Sequence, residues 1–309
     1  MKAFLTRRLA FLLFVTFAVS TLVFFFIHLI PGDPVEIMLG ETAQPSDKAA
    51  LRAALGLERP LAEQYVRFLE GLLHGDLGIS IRYHAPVADT ILSRLPATAE
   101  LAGAAILIAI LIAIPAGILS ATRPNTGFDH AAMFASLLGV SMPTFWLGPL
   151  LILLFAIHLD WFPVSGREGL SSLVLPALTL GAALAAILSR MTRSAMLEVI
   201  REEYITAGRA RGLPERLVIF KHALRNALIP IVTVLGLQIG ALLSGAVITE
   251  KVFAWPGIGR LLVDGIEARD YPLVQGCVLT ISIVYVLVNL ATDLLYAAID
   301  PRIRFEESP

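Results

Sequence analysis

The chain holds one cysteine, Cys277, in 309 residues. A single thiol excludes an internal disulfide framework and any metal site built from several cysteines. Charge is also scarce. Only 16% of residues are Asp, Glu, Lys or Arg, against roughly a quarter in soluble domains. No Gly-x-x-x-x-Gly-Lys-[Ser/Thr] loop is present to cradle a nucleotide phosphate. The His-Glu-x-x-His and Gly-x-Ser-x-Gly patterns of zinc proteases and serine hydrolases are missing too. Six histidines, His28, His74, His84, His130, His158 and His222, are scattered without ligand spacing. Nothing in the chain therefore assembles a nucleophile, a base or a metal centre, and an intramembrane enzyme lacks its parts.

Apolar residues are abundant: 57% of the chain, with a mean hydropathy of +0.78. They fall in long blocks. About 18 or more consecutive apolar residues suffice to cross a hydrocarbon core of ~30 Å. Blocks near 9–30, 99–121, 130–158, 174–196, 228–249 and 272–298 predict six membrane spans in an all-α integral membrane fold. The first is longer than a signal-peptide core of about 7–15 residues and lacks a small-x-small cleavage pattern, so it reads as a retained span. Pro143 and Pro149, with Gly139 and Gly148, predict a kink or re-entrant turn in the third, and Pro115 a bend in the second.

Lys and Arg set the orientation. Segments 1–8, 122–129, 190–227 and 299–309 carry 14 of the 24 basic residues in far less chain than 31–98, 159–173 and 250–271. Both termini and the 190–227 loop are thus expected in the cytoplasm. Outside, the 31–98 loop contains Leu61, Tyr65, Phe68, Leu69 and Leu72 at helical spacing, after Pro60 and before Gly75. This predicts a short amphipathic helix, which either packs on the bundle or meets an external partner. Within the spans, Asp293 stands four residues after Asn289 on one helix face. It is expected to form a structural ion pair with Arg190 or Arg193. A proton relay would need further carboxylates deeper in the bundle, and there are none.

The most informative segment lies between the fourth and fifth spans. Glu203, Tyr204, Thr206, Ala207, Gly208, Arg209, Ala210, Arg211, Gly212, Leu213 and Pro214 read as helix, break, helix. Gly212 can end the first piece in a left-handed conformation, and Pro214-Glu215 can start the next. Small residues at 207, 208, 210 and 212 allow another surface close approach, and Arg209, Arg211 and Arg216 offer donors to carboxylates or carbonyls. An ordinary basic cytoplasmic loop would need neither the small-residue cluster nor the break.

Glu203-Tyr-Ile-Thr-Ala-Gly-Arg-Ala-Arg-Gly212, followed by His222-Ala-Leu-Arg-Asn-Ala-Leu-Ile-Pro230, resembles the EAA loop of ABC importer permeases. The similarity is specific to the peptide/nickel branch, of the dipeptide permease B type, close to glutathione and nickel permeases. Ile30-Pro-Gly-Asp-Pro34, Leu55-Gly-Leu-Glu-Arg-Pro60, Gly75-Asp-Leu-Gly-Ile-Ser80, Ser141-Met-Pro-Thr-Phe-Trp146, Phe253-Ala-Trp-Pro-Gly-Ile-Gly-Arg260, Arg269-Asp-Tyr-Pro272 and Asp300-Pro-Arg-Ile-Arg304 match that branch along essentially the whole chain. Thr206-Ala207-Gly208 stands where Glu-Ala-Ala would be, a departure usual in the branch.

The resemblance implies a type I permease fold in three parts. These are an N-terminus and first span (1–30), an external loop (31–98), and a five-span core (99–309) with a coupling loop at 197–227. It implies a heterodimer with a homologous second permease in the bacterial inner membrane. Two ATPase subunits, carrying ATP and Mg, dock on the coupling loops, and a periplasmic or lipid-anchored binding protein delivers the solute. This chain then binds no cofactor and catalyses nothing, and nucleic acid is not among its partners. Residues 205–216 become the coupling helix. Ser141, Met142 and Phe145 in the third span, with Gln238 and Ser244 in the fifth, are candidates for the translocation path. The short segment 159–173 favours glutathione or nickel permeases over dipeptide permeases with long insertions. Without a His, Cys or Met cluster on one helix face, short peptides including glutathione are the expected solute, with nickel chelates the alternative. A stand-alone secondary carrier is the competing class, and Asp293 alone speaks for it.

Overall fold

The computed structural model describes residues 2–29, 34–39 and 43–299, without the side chains of 2–9, 27, 34, 37–38, 51, 54–55 and 293–299. Thirteen helices follow one another among the described residues. They are α1 (Lys2–Leu29), α2 (Pro34–Leu39), α3 (Pro45–Leu55), α4 (Leu61–Leu73), α5 (Val87–Thr122), α6 (Gly127–Ser141), α7 (Thr144–Leu151), α8 (Leu170–Ile200), α9 (Glu203–Ala210), α10 (Glu215–Leu217), α11 (Leu224–Val252), α12 (Ile258–Glu267) and α13 (Tyr271–Ile299). The one β contact among the described residues is a bridge between Ile79 and Pro86.

Among the described residues, four helical stretches are long and apolar enough to cross a membrane: α5, α8, the continuous run Glu215–Val252, and Tyr271–Thr292 of α13. A fifth is α6 with α7 and its π-helical extension Ile152–His158, if that bent pair is one span; α1 contributes a shorter apolar stretch, Ala10–Phe26. The bend in the pair is 112°. It falls at Met142-Pro143, where both residues leave the helical region (ψ 116° and 142°), because Pro143 biases the residue before it toward extended backbone. Pro115 does not interrupt α5. That helix also starts twelve residues before the expected 99, since residues 87–98 mix polar and apolar side chains and carry no hydropathy signal.

The chain divides into two compact units, residues 1–98 with 256–286, and residues 99–255 with 287–309. In the first, α4 begins after Pro60 and stops at His74-Gly75, where Gly75 has φ +73°. Tyr65 and Phe68 of its apolar stripe pack on α1. Phe68 stacks on buried Phe24 at 5.5 Å, Tyr65 shares a 2.7 Å hydrogen bond with Thr21, and His28 lies 3.3 Å from Gln64. Val87, Ile91, Ile258, Leu261, Leu273 and Cys277 form a second core. Beside it Asp270 is fully buried. Its carboxylate accepts the Ser80 hydroxyl at 2.5 Å and the amides of Arg82 and Leu273 at 3.0 and 3.1 Å.

In the second unit, α5 and α8 run parallel at backbone-contact distance. A Cβ on Gly181 would lie 2.6 Å from the Ala105 carbonyl oxygen, and one on Gly117 would lie 2.5 Å from Thr192 Cβ. The contacts advance twelve residues along α5 and eleven along α8, so the pairing holds for three turns. Helices α6 and α11 also pack on α8, α6 along the same stretch, where a Cβ on Gly139 would lie 3.0 Å from Ala186 Cβ. Phe253, Leu175 and Ala156 form the apolar core at the opposite end, beside fully buried Trp255. There Arg167 lies over the Trp255 ring at 5.8 Å and pairs with Glu100 at 2.6 Å.

Candidate functional site

The connector between α8 and α11 begins where the last turn of α8 closes, with the Arg201 and Glu202 amides donating to Glu198 and Val199. Helix α9 follows at once, with Glu202 extended as its N-cap. It is eight residues long, not the twelve of 205–216. The chain leaves the helix at Arg211 because Gly212 takes φ +78°. The Gly212 amide donates to the Arg209 carbonyl at 2.9 Å and the Leu213 amide to the Gly208 carbonyl at 3.3 Å. These are the two bonds of a Schellman cap, and they satisfy carbonyls that the helix end would leave open. Leu213 folds back over Gly208, its Cδ1 3.6 Å from where a Cβ on that glycine would stand. Pro214, without an amide proton, then caps α10, accepting from Leu217 and Val218 at 2.8 and 3.2 Å.

Three ties fix α9 to its surroundings. Ile205 is its one buried side chain. Arg209 crosses the break to Glu215 with two hydrogen bonds, Nη2 to Oε1 at 2.7 Å and Nε to Oε2 at 3.2 Å. That bonding holds the Glu215 carboxyl below its usual range and raises the Arg209 guanidinium. Tyr204 accepts a 2.6 Å hydrogen bond from Asn226, where α11 begins. Between α10 and α11 lies a π-helical turn, Val218–Ala223, that buries Val218, Ile219 and Ala223 while Phe220 stays exposed. Glu203, Tyr204, Thr206, Ala207, Arg209, Ala210, Arg211, Gly212 and Pro214 all face outward; Gly208 and Leu213 are half-buried. The connector thus presents a contiguous surface of small and charged residues on a stiffly capped turn. No cluster of three or more metal-ligating groups occurs among the described residues.

The remaining candidates are dispersed. Ser141, Met142 and Phe145 sit at the α6–α7 bend, with Ser141 and Phe145 exposed. Gln238 and Ser244 are half-buried and exposed on α11. Six residues separate them, about 120° around the helix, so they do not share one face. The Asp293 side chain lies outside the described residues. Arg193, one of its two expected partners, is engaged by Asp129. That pair escaped the sequence reading. Arg193 Nε meets Asp129 Oδ1 at 2.6 Å and Nη2 meets Oδ2 at 2.8 Å. The one available signal was Thr126-x-x-Asp129, a helix-start pattern. Thr126 indeed caps α6.

Residues 113–305 match the family described as binding-protein-dependent transport system inner membrane component, and residues 1–102 its N-terminal membrane component. The chain is 43% identical over 339 residues to the dipeptide transport system permease protein DppB of Escherichia coli K12, covering 99% of this chain and 100% of that protein. It is 44% identical over 335 residues to the di/tripeptide permease DppB of Pseudomonas aeruginosa UCBPP-PA14, with the same coverage. The glutathione transport system permease protein GsiC of Escherichia coli K12 is 43% identical over 306 residues, again over 99% and 100% of the two chains. Among solved structures, an inward-facing MetNI methionine ABC transporter aligns with a TM-score of 0.55 at 19% identity. It covers 68% of this chain and 96% of that one, a likeness of fold.

Proposed function

The chain belongs to the family of binding-protein-dependent transport system inner membrane components, and from that premise we propose that it carries short peptides, glutathione among them, across the bacterial inner membrane. It is a permease subunit of an importer. The observation that supports the solute is full-length identity of 43–44% to dipeptide, di/tripeptide and glutathione permeases. The 306-residue alignment to the glutathione permease nearly equals this chain's 309, whereas the dipeptide permease alignment is thirty positions longer. Within the peptide reading, that length match favours glutathione-like solutes. A nickel chelate is the alternative solute.

In this reading six spans cross the membrane: α1, α5, the bent α6–α7 pair, α8, α11 and α13. Both termini and α9 lie in the cytoplasm, as the density of Lys and Arg favours. A homologous second permease completes the path, near the Ser141–Phe145 bend and the Gln238–Ser244 stretch of α11. Two ATPase subunits bind ATP and Mg, and this chain binds neither. Helix α9 with its 211–214 cap seats in an ATPase groove. When the ATPases close on ATP, α9 moves as a unit and pulls on α8 and α11, the elements that flank it. Such switching works because packed helices have discrete arrangements rather than a continuum. The absence of a phosphate loop is then explained, since the nucleotide chemistry resides in the partners.

The test is ATP hydrolysis by the purified complex, with its binding protein loaded in turn with a dipeptide, glutathione or nickel. Peptide-loaded protein is expected to stimulate hydrolysis. Stimulation by nickel alone would overturn the solute assignment.

A further inference from the structure

We propose that Asp129 and Arg193 form a positioning pair that makes α6 move with α8, so that displacement of α9 reaches the Met142-Pro143 bend. The proposal rests on α9 being the element that the ATPases move.

The geometry supports it on four counts, all within the 99–255 part of the chain. Asp129, in the first turn of α6, is 2% exposed at its side chain, and both its oxygens are bonded to the Arg193 fork. A planar two-point contact fixes orientation as well as distance, which a single ammonium cannot do. Asp129 Oδ2 also accepts the Asn125 amide at 2.9 Å, which ties the α5–α6 turn to the same carboxylate. Asn125 is held at φ +60°, a left-handed conformation that asparagine tolerates better than most residues. The turn is therefore set around the pair.

Secondly, the pair sits at a fulcrum. Thr192, the neighbour of Arg193, packs under Gly117 of α5, together with the Ser189 carbonyl. Helices α5 and α6 thus both grip α8 within one turn of Arg193. Beyond that grip α8 continues seven residues to Ile200, an arm of about 10 Å joined to α9 by Arg201 and Glu202. Thirdly, from Asp129 to Met142 α6 is an uninterrupted rod of about 20 Å that ends in the 112° bend. A rotation of α8 about the fulcrum is carried by the fork into α6 and delivered at the bend, beside Ser141 and Phe145.

Lastly, the grip holds unused bonding capacity. The hydroxyl oxygens of Ser120, Ser189 and Thr192 are buried without a hydrogen-bond partner among the described residues. Buried polar groups are otherwise nearly always satisfied. A second arrangement of α5 against α8 that satisfied them would recover that bonding. The ion pair lets α6 follow α8 between the two.

The test uses the assembled complex and reads solute transported per ATP hydrolysed. Asp129→Asn removes the charge and keeps the volume. It is expected to lower that ratio at least about fivefold, the low end of typical coupling between sites. A purely structural pair would lower the yield or melting temperature of the complex and leave the ratio of the assembled fraction unchanged, and that result overturns the proposal. If Asp129→Asn does not assemble, Arg193→Lys decides, because it keeps the charge and loses the fork. A ratio lowered at least twofold supports the pair, and a wild-type ratio overturns it. Gly212→Val, which disrupts the α9 cap, separates the two readings. If it leaves the ratio intact, the role of α9 itself fails. If it uncouples while Asp129→Asn does not, the Asp129–Arg193 proposal alone fails.

Discussion

Gly212 offers a way to tell backbone geometry from crowding at the α9 cap. It has φ +78°, and a Cβ built on it would meet nothing within 4 Å. A side chain there costs no space within this chain, so the penalty is conformational. Placing an L-residue in the left-handed region costs roughly 1–2 kcal/mol, less for Asn, whose side chain hydrogen-bonds locally, and most for β-branched residues. Since ~1.4 kcal/mol is a factor of ten in population, Gly212→Ala should reduce the capped turn to about a tenth of its weight against uncapped forms. Gly212→Val should reduce it further, and Gly212→Asn least. Two assays follow the series: hydrogen exchange at the Gly212 and Leu213 amides, whose bonds define the cap, and transport per ATP in the complex. The expected order in both is Gly, Asn, Ala, Val. Asn is larger than Ala, so volume alone predicts Ala above Asn. That inverted order in the transport assay, with amide protection intact, would refute the backbone argument and place the effect in contact with a partner.

Acid weakens the Arg209–Glu215 tie. Because the pair depresses the folded Glu215 pKa, its contribution is full above the ordinary glutamate value and disappears as pH falls through the depressed one. With the side chains 39% and 60% exposed, the contribution is at most about 1 kcal/mol and weakens with salt. Gly212 amide exchange in Glu215→Gln should therefore match wild type at low pH and exceed it at neutrality. Gly181→Ala forces a methyl to 2.6 Å from the Ala105 carbonyl oxygen. The α5–α8 pair must separate, and the melting temperature in detergent should fall by an amount equivalent to roughly 1–3 kcal/mol. Asp270→Asn replaces an acceptor-only carboxylate, bonded to Ser80 and two amides, by a group with one acceptor oxygen. About 1–3 kcal/mol of stability should be lost, read as earlier proteolysis of the 79–86 segment.

The sequence carried local information well and long-range information poorly. The stripe Leu61, Tyr65, Phe68, Leu69 and Leu72 is a 3.6-residue signal, and α4 sets Tyr65 and Phe68 of it against α1. Pro143 and Gly212 are backbone constraints that act at their own positions, so the bend and the cap were legible. Residues 87–98 look like loop in the sequence because their helix pairs polar and apolar side chains, and a hydropathy block begins only at 99. The Asp129–Arg193 pair joins residues 64 apart, and a parallel α5–α8 crossing is invisible in a run where Gly117 and Gly181 look like any small apolar residue. The π-helical turns at Ile152–His158 and Val218–Ala223 likewise have no sequence mark. They lengthen a helix by a residue without changing its apolar period enough to notice.

On the proposed reading α9 must meet two opposed demands: stiffness, so that a partner's movement is not absorbed by local bending, and exposure, so that the partner can reach it. A buried core would supply the first and defeat the second. The connector meets both with short-range ties instead. Ile205 is the one buried anchor, while the Schellman cap, the Arg209–Glu215 fork and the Tyr204–Asn226 bond all lie at the surface. Surface ties are individually weak, but each fixes a different direction: the cap fixes the C-terminal turn, the fork bridges the break, and Tyr204 holds the N-terminal turn to α11. Fixing three directions makes a short helix behave as a body. The loop that follows uses glycine and proline, whose conformations are set by the backbone and not by neighbours that a docking partner could disturb.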